Sequence, residues 1–169
     1  MNAHALFVAD VHLCESRPEA GARFFDFLSH VASRSHSLYI LGDLFESWVG
    51  DDDLAAPLHQ TVINQLADLS ARGVQIFFMH GNRDFMLAEQ FARLCGMQLL
   101  ADPVVVDLYG TPTLLTHGDT LCTADVDYQR YRRVMRQPWL LKVLRALPLS
   151  LRQTMAQRAR VRSEQAKTH

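Results

Sequence analysis

The chain has 169 residues, 49% of them apolar and 21% charged, which suits one domain with a buried core and excludes wholesale disorder. Cys14, Cys95 and Cys122 are odd in number, far apart and in no C-x-x-C pair, and neither a leader pattern nor an uncharged apolar run of spanning length occurs; the expectation is a reduced, cytoplasmic protein without a disulfide framework or thiolate zinc site. The formal charge of −1 hides a split, because residues 1–129 carry 17 acids and 6 bases whereas residues 130–169 carry 11 bases and one acid, Glu164, so the tail is expected either to meet an anion or to be a solvated helix face.

Four apolar runs, 5–12 (ALFVADVH), 37–43 (SLYILGD), 74–82 (VQIFFMHGN) and 113–119 (TLLTHGD), are short and rich in aliphatic or β-branched residues and read as buried strands. Between the first three, the three-to-four spacing of apolar residues with Pro and Gly at the ends predicts helices. Strand, helix, strand, helix, strand implies a largely parallel α/β arrangement. A short helix around 86–96, strands near 98–100 and 103–108 and a turn at Tyr109, Gly110, Thr111 and Pro112 suggest a strand meander thereafter. From Thr123 onward, helical periodicity broken at Pro138 and Pro148 predicts two or three helices.

Each strong strand ends in residues able to bind a metal: Asp10 with His12, Gly42 with Asp43, Gly81 with Asn82, and His117 with Gly118 and Asp119. If the first pair is extended, Asp10 and His12 point the same way while Val11 turns to the core. Carboxyl ends of parallel strands line the ligand crevice of α/β sheets, so the four endings are expected to converge. Carboxylate, imidazole and amide oxygen without thiolate suit Mn²⁺, Mg²⁺, Fe²⁺ or Zn²⁺, and Asp43 can bridge two ions. Two such ions about 3.5 to 4 Å apart promote phosphoryl transfer by activating water and neutralising phosphate charge. Arg83, next to Asn82, offers a planar guanidinium to phosphate oxygens. His4, His30, His36 and His59 read as surface or packing residues, and His80 as a core or supporting residue. Asp84 is expected to orient Arg83 or a ligand, and Asp51, Asp52 and Asp53 to form a solvated turn or helix start.

With D-x-H, G-D, G-N-R-D and H-G-D in this order, the chain resembles the calcineurin-like metallophosphoesterases. The segments ADVHL, YILGDLFESWVGDDD, HGNRDF and THGDTLCTADVDYQRYR, with the later PWL and ALPL, are similar to the UDP-2,3-diacylglucosamine hydrolase family of lipid A biosynthesis. That resemblance implies an α/β sandwich of mixed β-sheets flanked by helices, with a helical cap insertion. Residues 1–122 would be the metallophosphoesterase core and residues 123–169 the lipid-binding cap. It implies Mn²⁺-dependent hydrolysis of the pyrophosphate of UDP-2,3-diacylglucosamine to UMP and 2,3-diacylglucosamine 1-phosphate. The expected place is the cytoplasm, peripherally on the inner membrane. Asp10, His12 and Asp43 would hold the first of two manganese ions and Asp43, Asn82 and His117 the second. Asn82, Arg83, Asp125, Tyr128, Ser163 and Lys167 would contact substrate. Arg83 stands where the superfamily often has a histidine that protonates the leaving oxygen, and a guanidinium cannot be that acid, so it is expected to stabilise charge.

No G-H-x-H occurs in the chain, although the superfamily pattern supplies two more ligands there. The expectation is an incomplete core with weakened metal affinity and poor catalysis by residues 1–169. In the tail, WLLKVLRALPLSLR mixes Trp139, Leu140 and Leu144 with Lys142, Arg145 and Arg152, as interfacial helices do, so an anionic inner-membrane surface is an expected partner. A helical hairpin packed on the core is the plainer alternative. A nuclease or other phosphodiesterase of the superfamily is a second reading, but the tail offers leucines where single-strand binding would want stacking aromatics, and no nucleic acid is expected. A non-catalytic chain that binds metal or lipid is the third.

Overall fold

The computed structural model describes residues 4–166, with side chains as far as Ala159. Strands β1 (Ala5–Val8), β2 (Ser37–Ile40), β3 (Gln75–Met79) and β4 (Met97–Leu100) form one parallel sheet in chain order. Helices α1 (Pro18–His30), α2 (Pro57–Ala71) and α3 (Glu89–Cys95) are the crossovers. Parallel crossovers are right-handed, so a strand order that never reverses puts all three helices on one face. Both longer helices begin with proline, which has no N–H to lose in the first turn.

Strand alternation then sorts the side chains. Leu38, Ile40, Ile76 and Phe78 meet Leu28 of α1, Leu66 of α2 and Phe91 of α3 in the main core. Tyr39 and Met79 face the other way, onto Leu115. On that second face the rings of Phe7, Tyr39 and Phe77 stack across three registered strands, with centroids 5.0 and 4.6 Å apart.

The expected meander after β3 is corrected in part. Gly96, left-handed at the end of α3, turns the chain straight into β4, which adds to β3 in parallel. Only β5 (Val104–Leu108) and β6 (Thr111–Leu115) are antiparallel. Tyr109 and Gly110 make their turn, while Thr111 and Pro112 already belong to β6. Val104, Val106, Leu108 and Leu115 of this hairpin cover the second face of the large sheet, giving the two sheets expected of the α/β sandwich.

Three helices follow, α4 (Val126–Met135), α5 (Pro138–Ala146) and α6 (Leu149–Ala166). The charge asymmetry is answered in part inside the molecule, where four of the tail's arginines turn to the core. Arg132 of α4 pairs with Asp102 and Asp119, Arg136 donates to the carbonyl of Gly81, and Arg145 reaches that of Met86. Arg152 of α6, 3% exposed, pairs with Asp52 and donates to the carbonyls of Val49 and Leu147. Of the two readings of the acidic run, the structure takes the helix start, because Asp51–Asp53 form a short 3-10 helix, and Asp51 has partners of its own. Asp51 accepts from the Trp48 indole and from the N–H groups of Ala88 and Phe91 at the start of α3, because the first N–H groups of a helix have no acceptor within it.

Candidate active site

Asp10 and His12 lie beyond β1, in left-handed backbone with φ of 55° and 52°, and Asp43 has φ of 54°. Residues with a Cβ seldom adopt this region, and each instance costs on the order of 1–3 kcal/mol unless the surroundings enforce it. Here the enforcement is a ladder between loops: the N–H groups of Asp10, His12 and Leu13 donate to the carbonyls of Gly42, Asp43 and Leu44 at 3.1, 3.0 and 2.8 Å. The convergence of Asp10 and His12 is therefore produced by a left-handed loop and not by strand alternation, which corrects the basis of that expectation. Val11 still packs against the core.

His12 Nε2 lies 3.6 Å from Asp10 Oδ1 and 3.7 Å from Asp43 Oδ2, while His117 Nε2 lies 3.9 Å from Asp43 Oδ1. Donor atoms of Asp10, His12 and Asp43 all fall within 4.8 Å of one another. Such separations fit ligands about 2.0–2.2 Å from a shared cation. Asp43, 2% exposed, turns one oxygen to His12 and the other to His117, the disposition a bridging carboxylate needs. Burial raises its pKa against the opposing pull of the Arg83 N–H and both histidines, and a cation would relieve that cost. The residues thus fit the divalent metal that the donor types imply.

Glycine makes the approach possible. A Cβ on Gly81 would stand 2.0 Å from Asp43 Oδ1, and one on Gly42, whose φ is 93°, would stand 2.6 Å from His117 Nδ1. Asp84 takes the second of its two expected tasks, positioning a ligand, since its Oδ1 accepts from the Asp43 N–H at 3.3 Å. It is fully buried and accepts from the N–H groups of Gly81 and Leu44 at 2.9 and 2.7 Å, so it ties the β3 loop to the β2 loop and leaves the Arg83 side chain to other partners. Burial and the nearby Asp43 charge push its pKa up to about 6. His80 is a supporting residue, its Nε2 2.8 Å from the Leu87 carbonyl.

Asn82 lines a small cleft with Phe85, Tyr128, Tyr131, Arg132 and Arg136, between the β3 loop and α4. The Arg83 N–H donates to Asp43 Oδ1 at 2.9 Å, and its guanidinium lies 3.4 Å from Glu46 Oε1. Tyr128 donates its hydroxyl to Asp119 at 2.7 Å. Asp125 caps α4, accepting the Tyr128 N–H at 2.9 Å. The side chain of Ser163 and the whole of Lys167 lie outside the described residues.

Sequence reasoning missed Asp102. Its Oδ1 accepts from Thr116 Oγ1 at 2.8 Å and from the His117 N–H at 3.3 Å, while Oδ2 receives Arg132 at 2.7 Å. It stands two residues after β4, so the strand-end rule that picked out Asp10 and Asp43 would have found it had β4 been placed in the parallel sheet. Glu46 was missed for a different reason, since only tertiary packing brings it to His12 and Arg83.

A family model described as calcineurin-like phosphoesterase matches residues 3–152. The chain is 50% identical over 161 residues to a UDP-2,3-diacylglucosamine hydrolase of Actinobacillus succinogenes, covering 95% of this chain and 68% of that one. It is 48% identical to the hydrolase of the same name from Aeromonas hydrophila, over 97% and 68% of the two chains. That from Escherichia coli O7:K1 is 48% identical, over 95% and 67%. The chain spans about two thirds of the length of these relatives. With a matched phosphoesterase model and a donor set fitted to a divalent metal, the chain belongs to the calcineurin-like phosphoesterases and, within them, to the UDP-2,3-diacylglucosamine hydrolases.

Proposed function

We propose that this chain hydrolyses the pyrophosphate bond of UDP-2,3-diacylglucosamine, releasing UMP and 2,3-diacylglucosamine 1-phosphate, with two Mn²⁺ ions. The observation that carries the reading is the grouping of Asp10, His12 and His117 around the buried Asp43, beside a cleft that holds Asn82 and two arginines. Asp10, His12 and Asp43 would hold one ion, and Asp43, Asn82 and His117 the other. Bound ions supply Lewis acidity to the phosphate and a water activated for attack. The chain's own residues do the rest. Arg83 takes charge developing on the phosphates, as a permanent cation with a planar fork suits. Asn82, Tyr128 and Asp125 orient the glucosamine phosphate end, together with Ser163 and Lys167. The water oxygen bonds to one phosphorus as its bond to the bridging oxygen breaks, the bridging oxygen departs on the other phosphate, whose weakly basic anion needs no protonating histidine, and the protons of the water pass to solvent.

Residues 1–122 are proposed as the core and 123–169 as a cap that meets acyl chains and anionic lipid on the cytoplasmic face of the inner membrane. No helix among the described residues is long and apolar enough to cross a membrane, and a peripheral contact needs none. Its apolar contacts differ from those expected of the helix pattern alone. Leu144 is buried and Leu140 packs on the core, whereas Trp139 and Val143, one turn apart on α5, are 64% and 52% exposed.

Release of UMP from UDP-2,3-diacylglucosamine with Mn²⁺, measured beside cleavage of DNA under the same conditions, tests the activity. Pyrophosphate hydrolysis without DNA cleavage is expected. Cleavage of DNA alone would replace this reading with that of a nuclease.

A further inference from the structure

His12 carries two ring nitrogens with different surroundings. Its Nε2 faces Asp10 and Asp43. Its Nδ1 is buried and makes no hydrogen bond, yet Glu46 Oε2 lies only 3.4 Å away. A shift of about half an ångström brings that pair into normal hydrogen-bond range. The Glu46 side chain, 11% exposed, also sits 3.0 Å from Arg17 Nη2 and, through its other oxygen, 3.4 Å from Arg83 Nη1. Arg17 in turn donates to the carbonyl of His12 at 2.7 Å. One carboxylate thus stands between a metal-facing imidazole and the Arg83 guanidinium.

We propose that Glu46 is a positioning residue that orients both His12 toward the divalent ion and Arg83 toward the substrate phosphate, an inference that rests on the metal-dependent reading above. Its first task follows from proton placement. An imidazole that binds a cation through Nε2 must carry its proton on Nδ1, and an acceptor on that side selects this tautomer and fixes the ring plane. The second task follows from charge. Arg83 next to a cation centre would be driven away, and a carboxylate on its near side holds the guanidinium at the rim. Arg17 keeps Glu46 in place from behind.

Glu46→Ala and Glu46→Gln separate these tasks. The amide oxygen of Gln still accepts from Nδ1, but it forms no ion pair with Arg83. Mn²⁺ affinity measured by calorimetry is expected to fall about tenfold or more in the Ala variant, the usual loss for a partner behind a ligand, and to return in the Gln variant. KM is expected to rise in both. Nitrogen NMR of His12, which needs no metal, is expected to show Nδ1 protonated in the native protein and in Glu46→Gln, with mixed tautomers in Glu46→Ala. Unchanged Mn²⁺ affinity and tautomer in Glu46→Ala would overturn the proposal, as would equal loss of metal affinity in the two variants. Failure of the native protein to bind Mn²⁺ would instead count against the metal reading, while the tautomer measurement would still decide the pairing of Glu46 with His12.

Discussion

Asp43 shows how a single side chain concentrates several costs. It is buried, its backbone is left-handed, and its nearest charged neighbours include Asp10. Such a residue persists because Asp84 and the 10–13 ladder hold its backbone from both sides. The space in front of it is equally constrained. Gly81→Ala would drive a methyl onto Asp43 Oδ1, so a loss of about 1–3 kcal/mol in stability is expected from overpacking, with a larger proportional loss of Mn²⁺ affinity; thermal melts and metal calorimetry on the same variant check both. For Arg83, truncation to Ala is expected to lower kcat about a hundredfold, the scale for one preorganised donor, and Arg83→Lys to recover little because the fork is lost. Steady-state kinetics with Mn²⁺ saturating gives the answer.

At the scale of elements, α4 and α6 are attached by arginines that the sequence alone reads as a basic surface. Arg152→Ala strands the carbonyls of Val49 and Leu147 and is expected to cost about 1–3 kcal/mol, measured by denaturant unfolding. The partner carboxylate gives this contact a pH signature. Hydrogen bonding by Arg152 holds the Asp52 carboxyl below its ordinary range. A depressed folded value means stability that is present above the unfolded pKa of Asp and lost as pH falls through the folded one. The difference in thermal midpoint between native protein and Asp52→Asn should therefore be present at neutral pH and shrink on acidification below about pH 4; a constant difference would exclude the linkage. On α5, vesicles of anionic lipid are expected to pellet the native protein and to release a variant carrying Trp139→Gln with Val143→Gln, since those are the apolar side chains turned to solvent.

Over the whole molecule, the parallel sheet brings three loops together at its carboxyl edge, and the hairpin that follows β4 ends at His117 in the same place. Negative groups gathered this way repel one another without a cation. Mn²⁺ should accordingly raise the thermal midpoint and chelation should remove the increment, which at a hundredfold excess over Kd corresponds to about 2.7 kcal/mol; a midpoint insensitive to both would argue against the metal centre. Much of this architecture was legible in the chain. Strand positions follow from short apolar runs, the helices between them from apolar spacing, and parallel pairing from their alternation. The ligand-type residues Asp10, His12, Asp43 and His117 were visible because each stands at the end of such a run. What the pattern misplaced was local geometry at those ends, where a left-handed loop does the work assigned to an extended strand, and it left the partners of Asp51, Asp52 and Asp84 unassigned, because these include Ala88, Arg152 and Leu44, 37 or more positions away.

The sequence by itself determined the alternation of strands and helices and the residue types able to bind a divalent metal, because periodicity and side-chain chemistry are local properties. Only the tertiary structure decided that Glu46 faces His12, that Asp102 supports His117, and that Arg132, Arg136, Arg145 and Arg152 turn inward to carboxylates and carbonyls of the core. Those outcomes depend on which loops meet at the sheet edge and on which charges are desolvated there, and neither is written in the spacing of residues along one segment.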